Sequence, residues 1–240
     1  MSAPSTPPTK LRVRFSKQGK IRFTSHRDVA RIWERALRRA GIPVAYTEGF
    51  SPRPKLSFGL ALSTGHESLG EYLDVNARDA IGPDELVDRV NLALPYGMEA
   101  QVAEPLEAGA DSLQQAVTSC TWHFELPGLA PAVVARTLAT DEIVLTRERK
   151  GHALTEDIRP CILALRVLPP GTGFGNVEAE LATQPRSLRP AELVSALDPA
   201  LQADRVVRIH QWTLVGGARQ EVIPLPPVAT LAPHAQARAS

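Results

Sequence analysis

The stretch from Ser25 to Gly41 constrains the fold more than any other part of the sequence. Its apolar residues recur three and four positions apart, which places them on one side of an α-helix. Ser25 is a favourable N-cap, Gly41 is a favourable residue just past a helix C-terminus, and Pro43 prevents continuation. The sequence therefore predicts an amphipathic helix that needs a second apolar layer to cover it. Its apolar side consists of Val29, Ile32, Trp33, Ala36, Leu37 and Ala40.

A half-buried strand precedes this helix, and further elements follow it. Leu11, Val13 and Phe15 alternate with charged residues, which is typical of a strand with one face in the core. We expect a turn over 17–20 and a second stretch of strand over 21–23. The later elements are extended segments over 56–62 and 71–75, a helix over 83–94 and a closing strand over 98–103. The order is β-α-β-β-α-β, as in ferredoxin-like folds.

The second half of the chain follows the same plan with one additional strand, in the order β-α-β-β-β-α-β. Its pattern predicts strands over 120–126, 142–147, 162–168, 177–181 and 206–214, and helices over 131–138 and 190–197. We therefore expect an α+β protein of two tandem ferredoxin-like units with antiparallel sheets. The expected units span 10–104 and 119–216 and are joined by a linker over 105–118. Residues 1–9 and most of 217–240 are expected to be disordered because of their Pro, Ala and small polar residues.

What the chain lacks excludes several protein classes. No stretch approaches about 18 consecutive apolar residues, so no membrane span is expected, and residues 1–9 lack the features of a secretory signal. The only cysteines, Cys120 and Cys161, are too few for a zinc site or an iron–sulfur cluster. The six histidines show no metal-binding spacing. We expect a cytoplasmic protein without a metal or another cofactor.

Charge is distributed unevenly, although the whole chain has a formal net charge of only +1. Between Lys10 and Lys55, 13 basic residues stand against 3 acidic ones. This segment therefore carries +10 and the rest of the chain carries −9. Such asymmetry indicates an anionic partner, and nucleic acid is the leading possibility.

Nine residues of the basic segment are candidates for contacting nucleic acid. Four arginines follow helical spacing and form a ridge, and two others share one face of the first strand. Phe50 stands in a loop that Pro52 and Pro54 stiffen, where an aromatic ring is available for base stacking. Two other interpretations stay open: the ridge is a solvated face partly paired through Glu34 and Arg38, or the acidic half packs against the basic half. The candidates are Arg12, Arg14, Arg27, Arg31, Arg35, Arg38, Phe50, Arg53 and Lys55.

His26 is the weak catalytic candidate. It lies in the first turn of the predicted helix among arginines, where a neutral imidazole near phosphates could act as a general base. RNA-cleaving enzymes with tandem ferredoxin-like folds offer a parallel in fold alone. The other interpretation is a helix-start residue or a phosphate contact. In the second half, Asp157 and Arg159 would share a face of an extended segment and could form an ion pair.

Several runs of residues carry a family resemblance that extends over about residues 10–215. The strongest are Leu11-Arg-Val-Arg-Phe15, Arg22-Phe-Thr-Ser-His-Arg-Asp28 and Tyr46-Thr-Glu-Gly-Phe-Ser-Pro-Arg-Pro-Lys-Leu-Ser-Phe58. The chain thus resembles the radical-SAM-associated family, a bacterial domain of unknown function found fused to or encoded beside B12-binding-type radical SAM proteins. The resemblance implies a radical SAM protein as partner and carries over no catalytic residues. Radical SAM enzymes need a three-cysteine motif, so that chemistry would belong to another chain.

The resemblance therefore implies an accessory or substrate-binding protein for a separate radical SAM enzyme. Its basic first unit is expected to bind RNA, either tRNA or rRNA. One alternative is a metal-independent RNA-processing enzyme that uses His26. The other is a protein–protein adaptor that docks the radical SAM partner through the basic face.

Overall fold

The computed structural model describes residues 9–107, 109–149, 151–171 and 174–225. The first half contains β1 (Thr9–Lys17), α1 (His26–Arg39), β2 (Leu56–Phe58), β3 (Glu67–Ala77), α2 (Pro83–Asn91) and β4 (Met98–Pro105). The second half begins with α3 (Leu113–Ala116), β5 (Val117–Glu125), α4 (Pro131–Ala139), β6 (Val144–Arg149) and β7 (His152–Asp157). It continues with β8 (Ile162–Val167), β9 (Val177–Ala182), α5 (Pro190–Leu197), β10 (Arg205–Val215) and β11 (Ala218–Glu221). Short 3-10 helices span Gly19–Phe23 and Arg159–Cys161.

One mostly antiparallel sheet runs through both halves, so the fold is mixed α+β. Its strand order is β4-β1-β3-β10-β5-β9-β8, with β2 paired to β3 and β11 paired to β10. The halves meet where β3 and β10 run parallel, with Glu67 opposite Val207 and Ser68 opposite Arg208. Strands β6 and β7 form a separate antiparallel hairpin.

Helix α1 confirms the prediction made from its caps and apolar side. The Ser25 hydroxyl accepts a hydrogen bond from the Asp28 backbone N–H, which caps the N-terminus. Gly41 has φ +63°, a left-handed conformation that glycine adopts without strain. Trp33 is fully buried and contacts Phe15 of β1 edge-on, with ring centroids 5.0 Å apart. The apolar stripe of α1 therefore packs on the alternating apolar residues of β1, as expected.

The second half has its own core, to which the first half contributes. Phe124 and Leu126 near the end of β5 pack with Leu193 and other apolar residues of α5. Leu62, which follows β2, belongs to this same core. The two cores are therefore distinct, but the chain and the sheet connect them.

Buried ion pairs join the halves at the β3–β10 junction. Glu67, 2% exposed, accepts hydrogen bonds from the Arg205 guanidinium. The Arg208 guanidinium donates to Glu71 at 3.0 Å and to the carbonyl oxygen of Leu60 at 3.0 Å. At this junction the first half supplies both carboxylates, and the second half supplies Arg205 and Arg208, while Arg22 of the first half also lies 3.4 Å from Glu67. The alternative in which acidic residues of the second half pack against the basic first half is therefore not the arrangement at the β3–β10 junction.

Two predicted elements differ from the structure. Residues Ile21–Phe23 are part of a 3-10 helix rather than a strand, because the buried Lys17 ammonium donates to the carbonyl oxygens of Arg22 and Thr24 and draws the chain into a turn. Strand β7 is absent from the prediction, since its exposed and polar sequence lacks apolar alternation. The second half therefore has four strands between α4 and α5 instead of three.

The segments expected to be linker and tail contain ordered elements. The 105–118 segment includes α3, whose Leu113 is buried with Tyr72 and Ile223. Strand β11 lies within 217–240 and pairs with β10. Residues 1–8 and 226–240, also expected to be disordered, lie outside the described residues.

Candidate nucleic-acid interface

Helix α1 presents a row of arginines on the side opposite its apolar stripe. Arg27, Arg35 and Arg38 are exposed. Within the described parts of the chain, their guanidinium groups form no ion pair and no hydrogen bond. Their charges are therefore available to a partner. The i,i+4 pair expected between Glu34 and Arg38 is likewise not formed among the residues that the structure describes.

Arg31 differs from its neighbours on the row because it has a carboxylate partner. Its guanidinium lies 3.1 Å from Asp28, and both side chains are about half exposed (55% and 49%). The Ser25 hydroxyl, which donates to this carboxylate, lowers the pKa of Asp28, and Arg31 lowers it further. Arg31 thus stays on the surface but is partly neutralised.

A two-stranded arm, which we define as residues 44–58, follows the C-terminal end of α1. Its two sides are joined by hydrogen bonds from the Thr47 N–H to the Arg53 carbonyl oxygen (2.9 Å) and from the Lys55 N–H to the Ala45 carbonyl oxygen (2.8 Å). Phe50 lies at its tip and is fully exposed. Arg53 and Lys55 are exposed and two positions apart on one side of the arm. The arm therefore carries two cations and an uncovered aromatic ring.

Arg12 and Arg14 lie elsewhere, on the sheet face that α1 does not cover. The Arg12 guanidinium forms a two-pronged pair with Asp74 at 2.7 and 2.9 Å. Arg14 is 2% exposed and donates to the Tyr72 hydroxyl and the Ile223 carbonyl oxygen. Both arginines tie strands and the C-terminal segment together. They share a strand face as predicted, but their guanidinium groups are occupied by contacts within the protein.

A groove between α1 and α2 is lined by one candidate arginine, Arg35, and by two arginines outside the predicted set, Arg39 and Arg89. Its volume is about 690 Å³ and its lining includes Arg35, Arg39 and Arg89. Arg89 donates to the carbonyl oxygens of Ala40 and Gly41 at the end of α1. Arg39 is next to Arg38 on α1 and fits the helical spacing of the row nearly as well, whereas Arg89 belongs to another helix and follows no spacing with the row.

His26, the weak catalytic candidate, stands on the surface at the start of α1. It is the exposed first residue of α1 and contacts Phe58 edge-on, with ring centroids 5.6 Å apart. Its ring has no hydrogen-bond partner in the part of the chain that the structure describes. No carboxylate orients it there, so the site offers a surface imidazole beside Arg27.

Asp157 and Arg159 do not form the expected ion pair among the described residues. The Asp157 carboxylate accepts hydrogen bonds from the backbone N–H groups of Ile143 (2.8 Å) and Arg159 (2.9 Å). The Arg159 guanidinium donates to the carbonyl oxygens of Leu138, Thr140 and Ile162. Each side chain therefore satisfies backbone groups, because β7 ends in a turn at this point rather than continuing as an extended segment.

Both cysteines are buried free thiols. Burial raises the pKa of the Cys120 thiol to about 11, so it stays protonated at neutral pH. In residues 9–107, 109–149, 151–171 and 174–225, no cluster of three or more His, Cys, Asp or Glu residues is placed to hold a metal ion. Within those same ranges, no helix has the length and apolar character needed to cross a membrane.

The family model described as uncharacterized protein conserved in bacteria (DUF2344) matches residues 10–190. The chain belongs to the DUF2344 family. The part of this DUF2344 protein that matches contains α1, the arm and the β6–β7 hairpin, and it ends at Pro190, the first residue of α5. No curated protein matches the chain.

Proposed function

We propose that this DUF2344 protein binds RNA, either tRNA or rRNA, through the exposed face of α1 and the arm. In this proposal it is an accessory, substrate-binding protein for a separate radical SAM enzyme. The observation that carries the RNA proposal is the row of exposed arginines without carboxylate partners, Arg27, Arg35 and Arg38, beside an arm that bears Arg53 and Lys55. We call these five side chains the basic surface.

The electrostatics favour a phosphate backbone as the partner. Several cations of the N-terminal segment are already neutralised, since Arg12, Arg14 and Arg22 each pair with a carboxylate. The excess charge that remains is therefore concentrated on α1 and the arm. A polyanion gains affinity from such a surface by releasing its counterions, and arginine is well suited to phosphate geometry.

Phe50 adds a reason to favour RNA with unpaired bases. An uncovered ring at the tip of the arm can stack on a base, and stacking needs a base that is not already inside a duplex. RNA loops and single-stranded ends expose such bases. The cations of the basic surface would then bind the RNA backbone, while Phe50 at the tip of the arm stacks on a base of the loop.

The strand order supports a ferredoxin-like interpretation of the first unit, and we propose two such units in tandem. Strands β4, β1, β3 and β2 lie side by side in that order, with α1 and α2 packed on the same core. The sheet face away from these helices carries the Arg12 and Arg14 pairs and the buried Tyr72. Because that face is occupied, the helix side is the one that we assign to RNA.

The accessory role depends on the family resemblance and on the cysteines. Cys120 and Cys161 are the only cysteines of the chain, and a radical SAM cluster motif needs three. The radical chemistry would therefore reside on the partner, while this protein holds the RNA that the partner acts on.

Ultraviolet crosslinking of the full chain in cells, followed by sequencing of the bound RNA, tests this proposal. We expect tRNA or rRNA to be enriched over a variant carrying Arg35→Glu and Arg38→Glu. Equal recovery of RNA by the two proteins would contradict it. Copurification of a radical SAM protein that survives RNase treatment, with no nucleic acid present, would favour the adaptor instead.

A further inference from the structure

A larger cavity lies in the second half of the molecule, away from the basic surface. Its volume is about 940 Å³, within the range of ligand-binding pockets. Trp122 of β5 and Leu181 of β9 line it from the sheet, and Leu145 and Arg147 line it from the β6–β7 hairpin. Arg186 and residues of α5 complete the lining. We call this cavity the hairpin cleft.

Four charged side chains form one network in the hairpin cleft. Arg186 lies 2.8 Å from Glu156 and 3.1 Å from Glu192, and Arg147 lies 3.1 Å from Glu156 and 3.7 Å from Glu192. The network links the hairpin to the segment before α5 and to α5 itself. Each arginine contacts both carboxylates, so the two positive and two negative charges of the network balance.

The network nevertheless leaves hydrogen-bond donors unused. Arg147 Nε and Arg186 Nη1 are buried and have no hydrogen-bond partner among the described residues. The same is true of Nε of Arg208, which is outside the network but also lines the hairpin cleft. Buried donors without acceptors are rare in folded proteins and are explained most simply by a missing partner. Carboxylate oxygens accept several hydrogen bonds each, so Glu156 and Glu192 also keep acceptor capacity. Donors and acceptors therefore stand side by side at the edge of a partly apolar cavity.

The composition of the cleft favours a neutral ligand over a simple anion. Three carboxylates (Glu148, Glu156 and Glu192) and four guanidinium groups (Arg147, Arg186, Arg189 and Arg208) line it, so a phosphate would meet both signs of charge. A planar ligand with an edge that both accepts and donates hydrogen bonds suits this arrangement better. Its faces would contact Leu62, Leu145 and Leu181, which are apolar.

We propose that the hairpin cleft binds a nucleobase, with guanine preferred. Guanine presents O6 and N7 as acceptors, which guanidinium groups recognise, and N–H groups as donors, which carboxylates recognise. This proposal goes beyond RNA binding by the basic surface, because it concerns another half of the molecule and involves no phosphate contact.

The base has two possible sources with the same chemistry, a free nucleoside or an unpaired base of bound RNA. The second source is compatible with the chain path. Phe58 contacts His26 at the start of α1, and the segment Leu60–Ser63 that follows lines the hairpin cleft. A single segment therefore runs from the basic surface to the cleft.

The first experiment uses the full chain and the four ribonucleosides, which carry no phosphate. Titration calorimetry should detect guanosine binding with a Kd below about 1 mM, and weaker binding of adenosine, cytidine and uridine. Ser195→Trp fills the cleft from an exposed position of α5 and should weaken guanosine binding at least about tenfold. Ala135→Trp, the same addition at an exposed position of α4 outside the cleft, should leave binding unchanged.

Arg186→Lys gives a second, more conservative test. Lysine keeps the charge that pairs with Glu156 and Glu192 but lacks the additional guanidinium donors. We expect guanosine affinity to fall while the thermal unfolding midpoint changes little. If the midpoint falls sharply, Ser195→Trp decides the question, since it leaves the charge network in place.

A third experiment compares the binding of a hairpin RNA that contains one bulged guanosine with the binding of its fully paired counterpart. If the bulged RNA binds more tightly and Ser195→Trp abolishes this preference, the cleft binds a base of RNA. If guanosine binds but the two RNAs bind equally, the cleft binds a free nucleoside. Absence of both effects overturns the proposal. Failure of the basic-surface proposal is distinguishable, because Arg35→Glu with Arg38→Glu leaves guanosine binding intact.

Discussion

Arg14 of β1 and Glu221 of β11 form an ion pair at 2.9 Å, with side chains only 2% and 13% exposed. The two residues stand near opposite ends of the described chain, and the pair fastens the C-terminal segment to the strand at which the fold begins. A residue that looked like part of a basic, RNA-facing strand is therefore an internal contact. Its role follows from a partner that no local pattern reveals.

Replacing Arg14 should destabilise the protein severely. Arg14→Met removes the guanidinium partner of Glu221, leaves that carboxylate with His210 as its remaining side-chain partner, and removes donors from Tyr72 and Ile223. Loss of one partner of a buried pair typically costs about 3–5 kcal/mol. Urea unfolding measures this directly. The control is Arg166→Met, whose pair with Glu178 is 67% exposed on the arginine side and should contribute less than about 1 kcal/mol. Similar small losses for both variants would contradict a structural role for Arg14.

Stability should depend on pH through His66. Burial lowers the pKa of His66 to about 4, and the charges of Arg208 and Lys17 act in the same direction. The unfolded chain binds a proton near pH 6.5, whereas the folded protein does not until about pH 4. Stability is therefore lost progressively as the pH falls through this window, and below it the loss levels off. Urea titrations at several pH values give the free energy of unfolding as a function of pH. We expect His66→Gln to reduce the slope of that curve between about pH 4 and pH 6.5. The same slope in the variant and the wild type would refute the assignment to His66.

Acid should also weaken the ion pair of Glu221. Burial raises the pKa of this carboxyl, but the hydrogen bond from His210 and the charge of Arg14 outweigh burial, and its pKa lies below the ordinary value of 4.5. Because its pKa is lower in the folded protein than in the unfolded chain, ionised Glu221 stabilises the fold at pH values above 4.5. This contribution is lost as the pH falls through the pKa of the folded protein. Glu221→Gln should remove this acid-dependent part while lowering stability at neutral pH. Equal acid sensitivity of the variant and the wild type would rule this contribution out.

RNA affinity should respond to charge on the basic surface and not to charge elsewhere. Arg35→Glu with Arg38→Glu should weaken binding by at least about tenfold and reduce the slope of log affinity against log salt by about 0.7–0.9 for each phosphate that the variant no longer neutralises. The control, Arg136→Glu with Arg166→Glu, changes net charge equally at exposed positions of α4 and β8. Fluorescence anisotropy with a labelled tRNA over a salt series measures both quantities. Equal losses of affinity in the two variants would indicate a nonspecific charge effect.

Phe50 should matter for unpaired RNA and not for folding. A ring that is fully exposed contributes no core packing, so Phe50→Ala should leave the unfolding midpoint unchanged. Loss of one stacked base corresponds to about 1–3 kcal/mol, which is a loss of about fivefold to 160-fold in affinity for single-stranded RNA. Leu163→Ala, which trims another exposed apolar side chain on β8, is the matched control. Unaltered RNA affinity in Phe50→Ala would remove the arm from the interface.

Local signals explain the elements that could be predicted from the sequence. Ser25, Gly41 and the three- and four-residue spacing act within one or two turns of α1, so the helix and its exposed arginines follow from neighbouring residues. Pro190 and the apolar residues after it predict α5 at the bounds that the structure has, Pro190–Leu197. Strand β7 could not be predicted because its polar sequence carries no alternation, and it forms by pairing with β6.

The sequence by itself determined that the chain builds an α+β fold with a strongly basic first helix, since capping, periodicity and charge are properties of adjacent residues. Only the tertiary structure decided which basic residues of β1 and α1 are free. Arg14 forms an ion pair with Glu221 and Arg12 forms one with Asp74, while Arg35 and Arg38 remain exposed on α1. The parallel pairing of β3 with β10 and the charge network of the hairpin cleft likewise join residues far apart in the chain. Hydrogen bonds and ion pairs depend on distances of about 3 Å, and such distances between remote residues are set only when the whole chain has folded.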